Sequence, residues 1–288
     1  MNNNQLLNLI ALIERTIDSL GIMYRIFYRE KSLYSLESKI KNNPGKYNCM
    51  KKIQDIVGVR IALYFIDDIE ILKNALVKKF IFIEKDSQID KPAIETFSAI
   101  RCNLIFKLPD SYDFSSFVPE SLLEVIDDTF ELQIRTVLSE GWHEVDHDLR
   151  YKCKSDWVGL DKENRAFNGV YATLETSEWT LLKLFDELAY THYKNKNIKA
   201  MLINKFRLKL KPSAKDDEVI HYLSNNPKLI KPMYRYEREK MILNLSLRPK
   251  LPLNLANLVF IMNLDSINDI GLSEHMPSLL QSWWNSRA

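Results

Sequence analysis

The sequence predicts an α/β or α+β domain over residues 1–197, followed by a small, mostly helical domain over residues 198–288. In the first part, short runs rich in β-branched and aromatic residues alternate with stretches of helical periodicity. In the second part the charge balance changes, because residues 201–250 hold twelve Lys/Arg against five Asp/Glu, whereas the whole chain has a net charge of +2. A chain of 288 residues can bury one or two cores of ordinary size.

The elements of the first domain follow from periodicity and from breaker residues. Helical spacing of apolar residues predicts helices over 4–20, 31–41, 67–78, 137–151 and 161–194. Apolar and β-branched runs predict strands over 57–65, 80–84, 100–108 and 130–136. The second helix stops before Asn42-Asn43-Pro44-Gly45, and the third begins on two aspartates that suit the N-terminal end of a helix dipole.

Composition predicts a soluble, cytoplasmic protein that does not contact a membrane. Cys49, Cys102 and Cys153 lie far apart without a CxxC pair, which fits ordinary thiols in a reducing compartment. The N-terminus has no basic leader or small-residue cleavage site. No stretch reaches the roughly 18 uninterrupted apolar residues that a spanning helix needs.

Glycine usage limits how this chain could hold a phosphate. It has seven glycines, with none between Gly58 and Gly141, which excludes both a GxxxxGK[ST] cradle and a GxGxxG turn. Cationic side chains must then hold any nucleotide. The segment 29–39 supplies such a set on a helix or at its entry, formed by Arg29, Lys31, Ser35 and Lys39. A solvated basic helix face is the alternative interpretation.

A second candidate set lies on two predicted strands. Glu131, Gln133 and Arg135 alternate with Leu132 and Ile134, so three polar groups project from one face of the strand. Such groups are costly to bury without partners. Together with Asp55, at the start of DIVGVRI, Glu131 could ligate Mg²⁺, which prefers a few carboxylates plus phosphate oxygens. The alternative is a solvent-facing strand with an Arg–Glu pair.

In order along the chain, these motifs resemble the signature of RelA/SpoT alarmone synthetase domains. The matching residues cover about 25–155 and comprise Arg29-x-Lys31-x3-Ser35-x3-Lys39, DIVGVRI at 55–61, ELQIRT at 131–136, and Trp142, His147 and Tyr151-Lys152. The resemblance implies a nucleotidyltransferase-like mixed β-sheet flanked by helices. It also implies transfer of the β,γ-pyrophosphate of ATP to the 3′-hydroxyl of a nucleotide, by alignment and charge neutralisation.

The resemblance also implies roles for individual residues. Arg29 would stack on the donor adenine, and the donor phosphates would be held by Lys31, Ser35 and Lys39. Asp55 and Glu131 match the family's Mg²⁺ ligands, and Glu131 would also take the proton of the attacking hydroxyl. The pocket would be completed by Gln133, Arg135 and His147.

The acceptor side departs from the family pattern Lys-x-x-Gly-Tyr-x-Ser-x-His. The matching stretch here has Lys91 upstream, Phe97 as the aromatic face, and Arg101 in place of the histidine. ATP is therefore a firmer expectation than the acceptor. GDP or GTP is the first choice, and the alternatives are the tRNA 3′ end or an adenine nucleotide, which toxic family members use. A degenerate domain that only binds nucleotide or RNA is the non-enzymatic alternative.

A rival enzyme class comes from His143-Glu144-Val145-Asp146-His147, which satisfies the HExxH pattern of zinc hydrolases. On a helix the two histidines could share a metal with Glu175 or Glu178. A short pattern with two open positions arises often by chance. Asp146 also places a charge where such helices are normally apolar, so zinc is the minor alternative.

The basic region after 198 suggests an RNA-binding, partner-binding or regulatory role. Lys205, Arg207, Lys209 and Lys211 alternate with apolar residues, which predicts a strand with one cationic face. Tyr234, Arg235, Tyr236 and Arg238 mix aromatics with cations, as RNA-binding surfaces do, although a solvated surface with tyrosines packed on a core fits equally. Trp283-Trp284 would be core residues, or a docking patch that covers the active site or binds a trigger.

Overall fold

The computed structural model describes residues 4–48, 50–90, 97, 100–114, 118–248 and 251–286. The chain divides into two compact units. The first comprises the residues up to Thr16 together with Tyr24–Glu178, and the second comprises Ile17–Met23 together with the chain from Trp179 onward. The boundary predicted at 197/198 lies within the second unit, between a helix that ends at Lys194 and one that begins at Ile198.

The first unit is the predicted mixed α/β domain. Its strands are β1 (Tyr24–Glu30), β2 (Val57–Leu63), β3 (Gln88–Ile89), β4 (Cys102–Lys107) and β5 (Thr129–Thr136). The helices that begin in it are α1 (Asn4–Leu20), α2 (Leu33–Lys41), α3 (Asp68–Lys79), α4 (Glu120–Leu123), α5 (Val137–Val145) and α6 (Asp161–Lys194). Residues Asp146–Tyr151 continue α5 as a π-helical turn.

The five strands form one mixed sheet in the order β1-β2-β5-β4-β3. β2 and β5 are parallel, and the other neighbouring pairs are antiparallel. Burial alternates along β5 as predicted, with Phe130, Leu132 and Ile134 buried and the intervening polar residues half-buried. On the apolar face, the rings of Phe106 and Phe130 stack with centroids 5.5 Å apart, and α3 contacts β5. The other face is therefore available for chemistry.

On that face, strand register aligns residues from distant parts of the chain. Arg29 pairs with Gly58, and Gly58 pairs with Glu131, so one row runs across β1, β2 and β5. Residues paired in this way project from the same face of the sheet. Because Gly58 has no side chain, nothing on β2 separates Arg29 from Glu131, and a Cβ added at Gly58 would lie 4.0 Å from Cγ of Arg29.

The second unit is helical in its described residues, as predicted. Its helices after α6 are α7 (Ile198–Phe206), α8 (Ala214–Asn225), α9 (Ile230–Arg235), α10 (Arg238–Leu247), α11 (Leu255–Met262), α12 (Ile270–Glu274) and α13 (Ser278–Asn285). Every residue of α11 is buried, which makes this helix the centre of the unit's core. Asn254 starts it by accepting a hydrogen bond from the backbone of Asn257.

Several predicted elements differ from the structure. The strand expected over 205–211 is wrong, because α7 runs to Phe206 and Arg207 then takes a left-handed conformation with φ of 48°. Arg207 is buried, so the expected cationic face is wrong too. The run 80–84 forms only an isolated bridge between Phe82 and Phe106, and the sequence interpretation missed β1.

No helix in the described part of the chain combines the length and the apolar character that crossing a membrane requires.

Candidate active site

A cavity of about 250 Å³ opens on the polar face of the sheet. It is lined by Phe27, Tyr28, Arg29, Gly58, Val59, Arg60, Glu131, Gln133, Glu144, His147, Asp148 and Lys152. Strands β1, β2 and β5 supply its wall, and α5 with the following π-helical turn supplies its rim. The structure therefore brings together four of the predicted site residues, Arg29, Glu131, Gln133 and His147.

Glu131 is one of three carboxylates that line this cavity, with Glu144 and Asp148. Its side chain is half-buried on β5. Among the described residues, no side chain donates a hydrogen bond to it or forms an ion pair with it. A half-buried carboxylate without a partner favours a cation or an acidic proton as its ligand. The side chains of Arg29 and Arg60 line the same cavity and supply positive charge for phosphate or for stacking on a base.

Asp55 belongs to a second cluster formed with two of the predicted lysines. Its Oδ2 accepts from Nζ of Lys31 at 2.6 Å and its Oδ1 accepts from Nζ of Lys39 at 2.7 Å. Burial raises the pKa of the Asp55 carboxyl, but the hydrogen bonds from both lysines outweigh it and hold the pKa below its usual value. Asp55, Lys31 and Lys39 thus form one charged cluster, which we call the lysine–aspartate cluster.

The two lysines of that cluster respond differently to the same partner. Burial lowers the pKa of Lys31, with help from the charges of Lys39 and Arg29, and Asp55 does not compensate fully. For Lys39 burial also lowers the pKa, but Asp55 and Tyr47 outweigh it and the net shift is upward. Both amines lie within hydrogen-bond distance of the carboxylate, so we regard both as charged.

Ser35 does not join this cluster. Ser32 caps α2 by accepting a hydrogen bond from the backbone N–H of Ser35, and the two hydroxyl oxygens lie 2.9 Å apart. The exposed Ser35 hydroxyl is therefore engaged at the start of the helix.

The acceptor residues are only partly described. Phe97 is 56% exposed, as a stacking residue requires. Arg101 is engaged elsewhere, because its Nε donates to Asp90 at 2.7 Å. The neighbouring Ile100 N–H donates to the Tyr171 hydroxyl at 3.0 Å. Lys91 lies outside the described residues. The side chain of Arg101 is thus bound to Asp90.

The HExxH residues do not form a metal site. His143 is buried beside Trp142 and Tyr171, and burial, followed by the charges of Arg135 and Arg60, lowers its pKa to about 3. The proposed third ligand Glu178 accepts a hydrogen bond from the Thr136 hydroxyl. No group of three or more His, Cys, Asp or Glu side chains is placed to hold a metal ion within the described ranges.

His147 has a different environment from His143. It is 47% exposed in the cavity rim, where its Nδ1 lies 2.9 Å from Asp148 Oδ1 and its ring stacks on Tyr151. A Lys152–Asp148 ion pair of 2.7 Å completes this rim.

Sequence reasoning missed Arg60, Glu140 and Glu144. Arg60 donates to both glutamates, and its Nη1 lies 2.8 Å from Oε1 of Glu140. The signal for Arg60 was present, since it stands two residues after Gly58 on β2 and pairs with Gln133 on β5. No local pattern marks Glu140, whose role depends on how α5 follows β5.

Comparison with known proteins finds similarity over the part of the chain that forms most of this site. A family model described as "Region found in RelA / SpoT proteins" matches residues 28–156. This range contains every residue that lines the cavity except Phe27. Residues 28–156 of this chain are therefore similar to the region found in RelA / SpoT proteins.

The proteins similar to this chain include a GTP pyrophosphokinase, YjbM, of Bacillus subtilis (strain 168). It is 31% identical over 124 residues, which are 43% of this chain and 54% of that protein. This chain thus spans about half the length of that relative. Among solved structures, the small alarmone synthetase 2 of Bacillus subtilis aligns with 21% identity, 64% coverage of this chain, 92% of that chain and a TM-score of 0.44. The small alarmone synthetase 1 of Bacillus subtilis, bound to its product pppGpp, aligns with 20% identity, 65% and 100% coverage and a TM-score of 0.44.

Part of the aromatic and basic set that suggested an RNA-binding surface is engaged within the second unit. Tyr236 is buried and accepts a hydrogen bond from Asn244, and Nε of Arg238 donates to the carbonyl of Phe206. Tyr193 and Tyr234 stack with centroids 4.7 Å apart. Half of the expected aromatic and cationic residues therefore serve packing.

Proposed function

We propose that this protein is an ATP-dependent pyrophosphokinase that transfers the β,γ-pyrophosphate of ATP to the 3′-hydroxyl of GDP or GTP. The observation that carries this proposal is the half-buried Glu131 carboxylate, which has no side-chain partner among the described residues and lies with Arg29 and Arg60 in one cavity. This cavity falls largely within the stretch that resembles the RelA/SpoT region. The name of the relative, a GTP pyrophosphokinase, supports a guanosine nucleotide as acceptor.

In the proposed reaction, Glu131 takes the proton of the acceptor 3′-hydroxyl. The oxygen attacks the β-phosphorus of ATP, the bond between that phosphorus and the α,β-bridging oxygen breaks, and AMP leaves. The products are AMP and a nucleotide with a 3′-diphosphate. Arg29 and Arg60 orient the donor through its base and phosphates, which supplies the alignment on which phosphoryl transfer depends.

The carboxylates suit a magnesium ion, with one condition. Glu131 has no described donor, whereas both oxygens of Asp55 are bonded to ammonium groups. ATP phosphates would offer Lys31 and Lys39 alternative oxygen partners, which would release Asp55. Asp55 and Glu131 would then hold Mg²⁺, which would neutralise phosphate charge during transfer.

The proposal is tested by incubation with γ-³²P-ATP and one acceptor at a time: GDP, GTP, an adenine nucleotide or deacylated tRNA. Label in GDP or GTP is the expected result, and label only in another acceptor would replace the guanosine nucleotide. Nucleotide binding without transfer to any acceptor would instead indicate a binding module.

A substitution tests the base. Glu131→Gln should abolish transfer, because the amide cannot accept the proton, while the affinity for ATP measured in EDTA stays largely unchanged. Isothermal titration calorimetry with a non-hydrolysable ATP analogue measures the affinity. Substantial residual turnover would show that another group is the base.

A further inference from the structure

Two arginines at the back of the cavity share the same two acceptors. Oε1 of Gln133 accepts from Nε of Arg60 at 3.3 Å and from Nη2 of Arg135 at 2.9 Å. Oε1 of Glu140 accepts from Nη1 of Arg60 at 2.8 Å, and Oε2 of Glu140 accepts from Nη1 of Arg135 at 3.1 Å. These contacts close a ring of four hydrogen bonds that links β2, β5 and α5, which we call the arginine ring.

The arginine ring places two like charges side by side in a partly buried site. The exposed fractions of the Arg135 and Glu140 side chains are 15% and 13%. Burial lowers the pKa of Arg135, and the charge of Arg60 lowers it further. Such a pair needs a carboxylate between the guanidinium groups, and Glu140 supplies it to both.

The ring has a side that lines the cavity and a side that does not. Arg60 and Gln133 line the cavity, whereas Arg135 and Glu140 lie outside its wall. Glu144 differs from Glu140, because its ion pairs within the described residues involve Arg60 and not Arg135, and it is 50% exposed in the cavity lining.

We propose that Glu140 is a positioning residue, which acts through the arginine ring to hold the guanidinium of Arg60 and the amide of Gln133 at the cavity wall. The inference rests on the proposed function in so far as the ligand of these groups is a nucleotide. It assigns no contact between Glu140 and that ligand.

The direct test replaces Glu140 by glutamine. The amide oxygen can accept from one arginine, but the amide nitrogen would face the other, so one side of the ring opens. The dissociation constant of a non-hydrolysable ATP analogue should rise about tenfold, the effect expected for losing one charge-assisted hydrogen bond. Glu163→Gln is the matched control, since Glu163 is an exposed glutamate in the first turn of α6, and its affinity should equal that of the wild type.

A double-mutant cycle separates positioning from a general structural role. If Glu140 acts through Arg60, then Glu140→Gln should change the affinity little when Arg60 is already methionine. Additive effects of the two substitutions would overturn the proposal. Glu140→Asp keeps the charge but shortens the reach, so it should fall between wild type and Glu140→Gln.

Nuclear magnetic resonance tests the ring without any nucleotide. In protein labelled with ¹⁵N-arginine, and with Arg60 assigned from Arg60→Lys, the Arg60 Nε–H signal should be shifted and slow to exchange in the wild type. In Glu140→Gln it should move toward that of a free arginine, and in Glu163→Gln it should not. An unchanged signal in Glu140→Gln would overturn the positioning role. If the wild-type protein shows an intact ring but binds no nucleotide, the proposed function is wrong instead.

Discussion

At the level of single residues, the proposed function would make Asp55 compete with the nucleotide for the ammonium groups of Lys31 and Lys39. Both of its oxygens hold an ammonium group at hydrogen-bond distance. Phosphate must displace the carboxylate to reach these lysines, and only then is the carboxylate free for a metal ion. Nucleotide binding and metal binding at the lysine–aspartate cluster should therefore be coupled.

This coupling predicts opposite effects of Asp55→Asn with and without magnesium. In EDTA the variant should bind a non-hydrolysable ATP analogue about tenfold more tightly than the wild type, because the competing charge is gone. With magnesium present it should bind more weakly, because a metal ligand is lost. Calorimetry in the two buffers measures both, and Asp110→Asn, at a carboxylate that is 98% exposed, is the control. Weaker binding in EDTA would contradict the competition.

His143 gives a second prediction, which concerns pH. Its pKa is about 3 in the folded protein against an ordinary value of 6.5, so the unfolded chain takes up the proton first as the pH falls. The stabilisation is present above pH 6.5 and is lost as the pH falls toward 3. Between pH 7 and pH 5 the free energy of unfolding should drop by about 2 kcal/mol through this group.

Urea denaturation of His143→Gln at the two pH values checks this. The loss between pH 7 and pH 5 should be smaller by about that amount, because glutamine does not titrate. The same substitution at His221, which is exposed, should leave the pH dependence as in the wild type. An equal pH dependence in His143→Gln would show that this histidine is not buried as a neutral group.

At the level of elements, the turn from β5 into α5 fixes the position of the site. The Thr136 hydroxyl accepts from the backbone N–H of Ser139 at 3.1 Å, and the Ser139 hydroxyl accepts from the backbone N–H of Thr136 at 3.1 Å. The Thr136 hydroxyl also donates to the buried Glu178, whose pKa is raised chiefly by burial. This capping box sets the direction in which α5 carries Glu140.

Thr136→Val should therefore destabilise the first unit by about 1–3 kcal/mol, since it removes a helix cap and leaves a buried carboxylate without that donor. Thermal or urea denaturation measures the loss. Thr173→Val is the matched control, because the Thr173 hydroxyl is exposed and donates only to a carbonyl of its own helix. If both substitutions destabilise the protein equally, the capping box does not contribute the expected stability.

The sequence predicted well those elements in which apolar residues are buried at a regular spacing. The period of two in β5 placed Glu131, Gln133 and Arg135 on one face, and the structure confirms this. A period of two did not reveal β1, because burial does not alternate regularly along this edge strand. Arg25, Phe27, Tyr28 and Arg29 are all exposed. The alternation over 205–211 also gave a strand where α7 ends, because a short alternating run fits a helix end equally well.

The candidate site shows the same division. Glu131 and Gln133 could be predicted from their own strand. The closeness of Asp55 to Lys31 and Lys39 could not, because it depends on how the chain folds between positions far apart in sequence. Neither could the arginine ring, whose members come from β2, β5 and α5.

At the level of the whole molecule, the two units are interleaved in sequence. Ile17–Met23 is assigned to the second unit although it lies between two parts of the first. Within the second unit, the carbonyl of Gly21 accepts from the N–H of Lys209 at 2.8 Å, and Ile17, Leu20 and Ile22 are buried. A chain ending at residue 197 would keep these apolar side chains and lose Lys209.

The truncated protein 1–197 should therefore expose apolar surface, which dye binding by 8-anilinonaphthalene-1-sulfonate and light scattering would detect. Polar substitutions at Ile17, Leu20 and Ile22 should reduce both signals in the truncated chain. A truncated protein that neither binds the dye nor associates would show that the segment finds other cover. Because truncation itself disturbs the fold, the activity of this fragment would not show whether residues 198–288 inhibit the enzyme.

The place of β1 at the edge of the sheet has a consequence for local unfolding. This strand supplies Phe27, Tyr28 and Arg29 to the cavity, yet it pairs with a strand on one side only, in the sheet that the described residues form. An edge strand opens at a lower free energy than the central strands β2 and β5. Its amide hydrogens should exchange faster than those of β2 and β5, and a bound nucleotide should slow that exchange first.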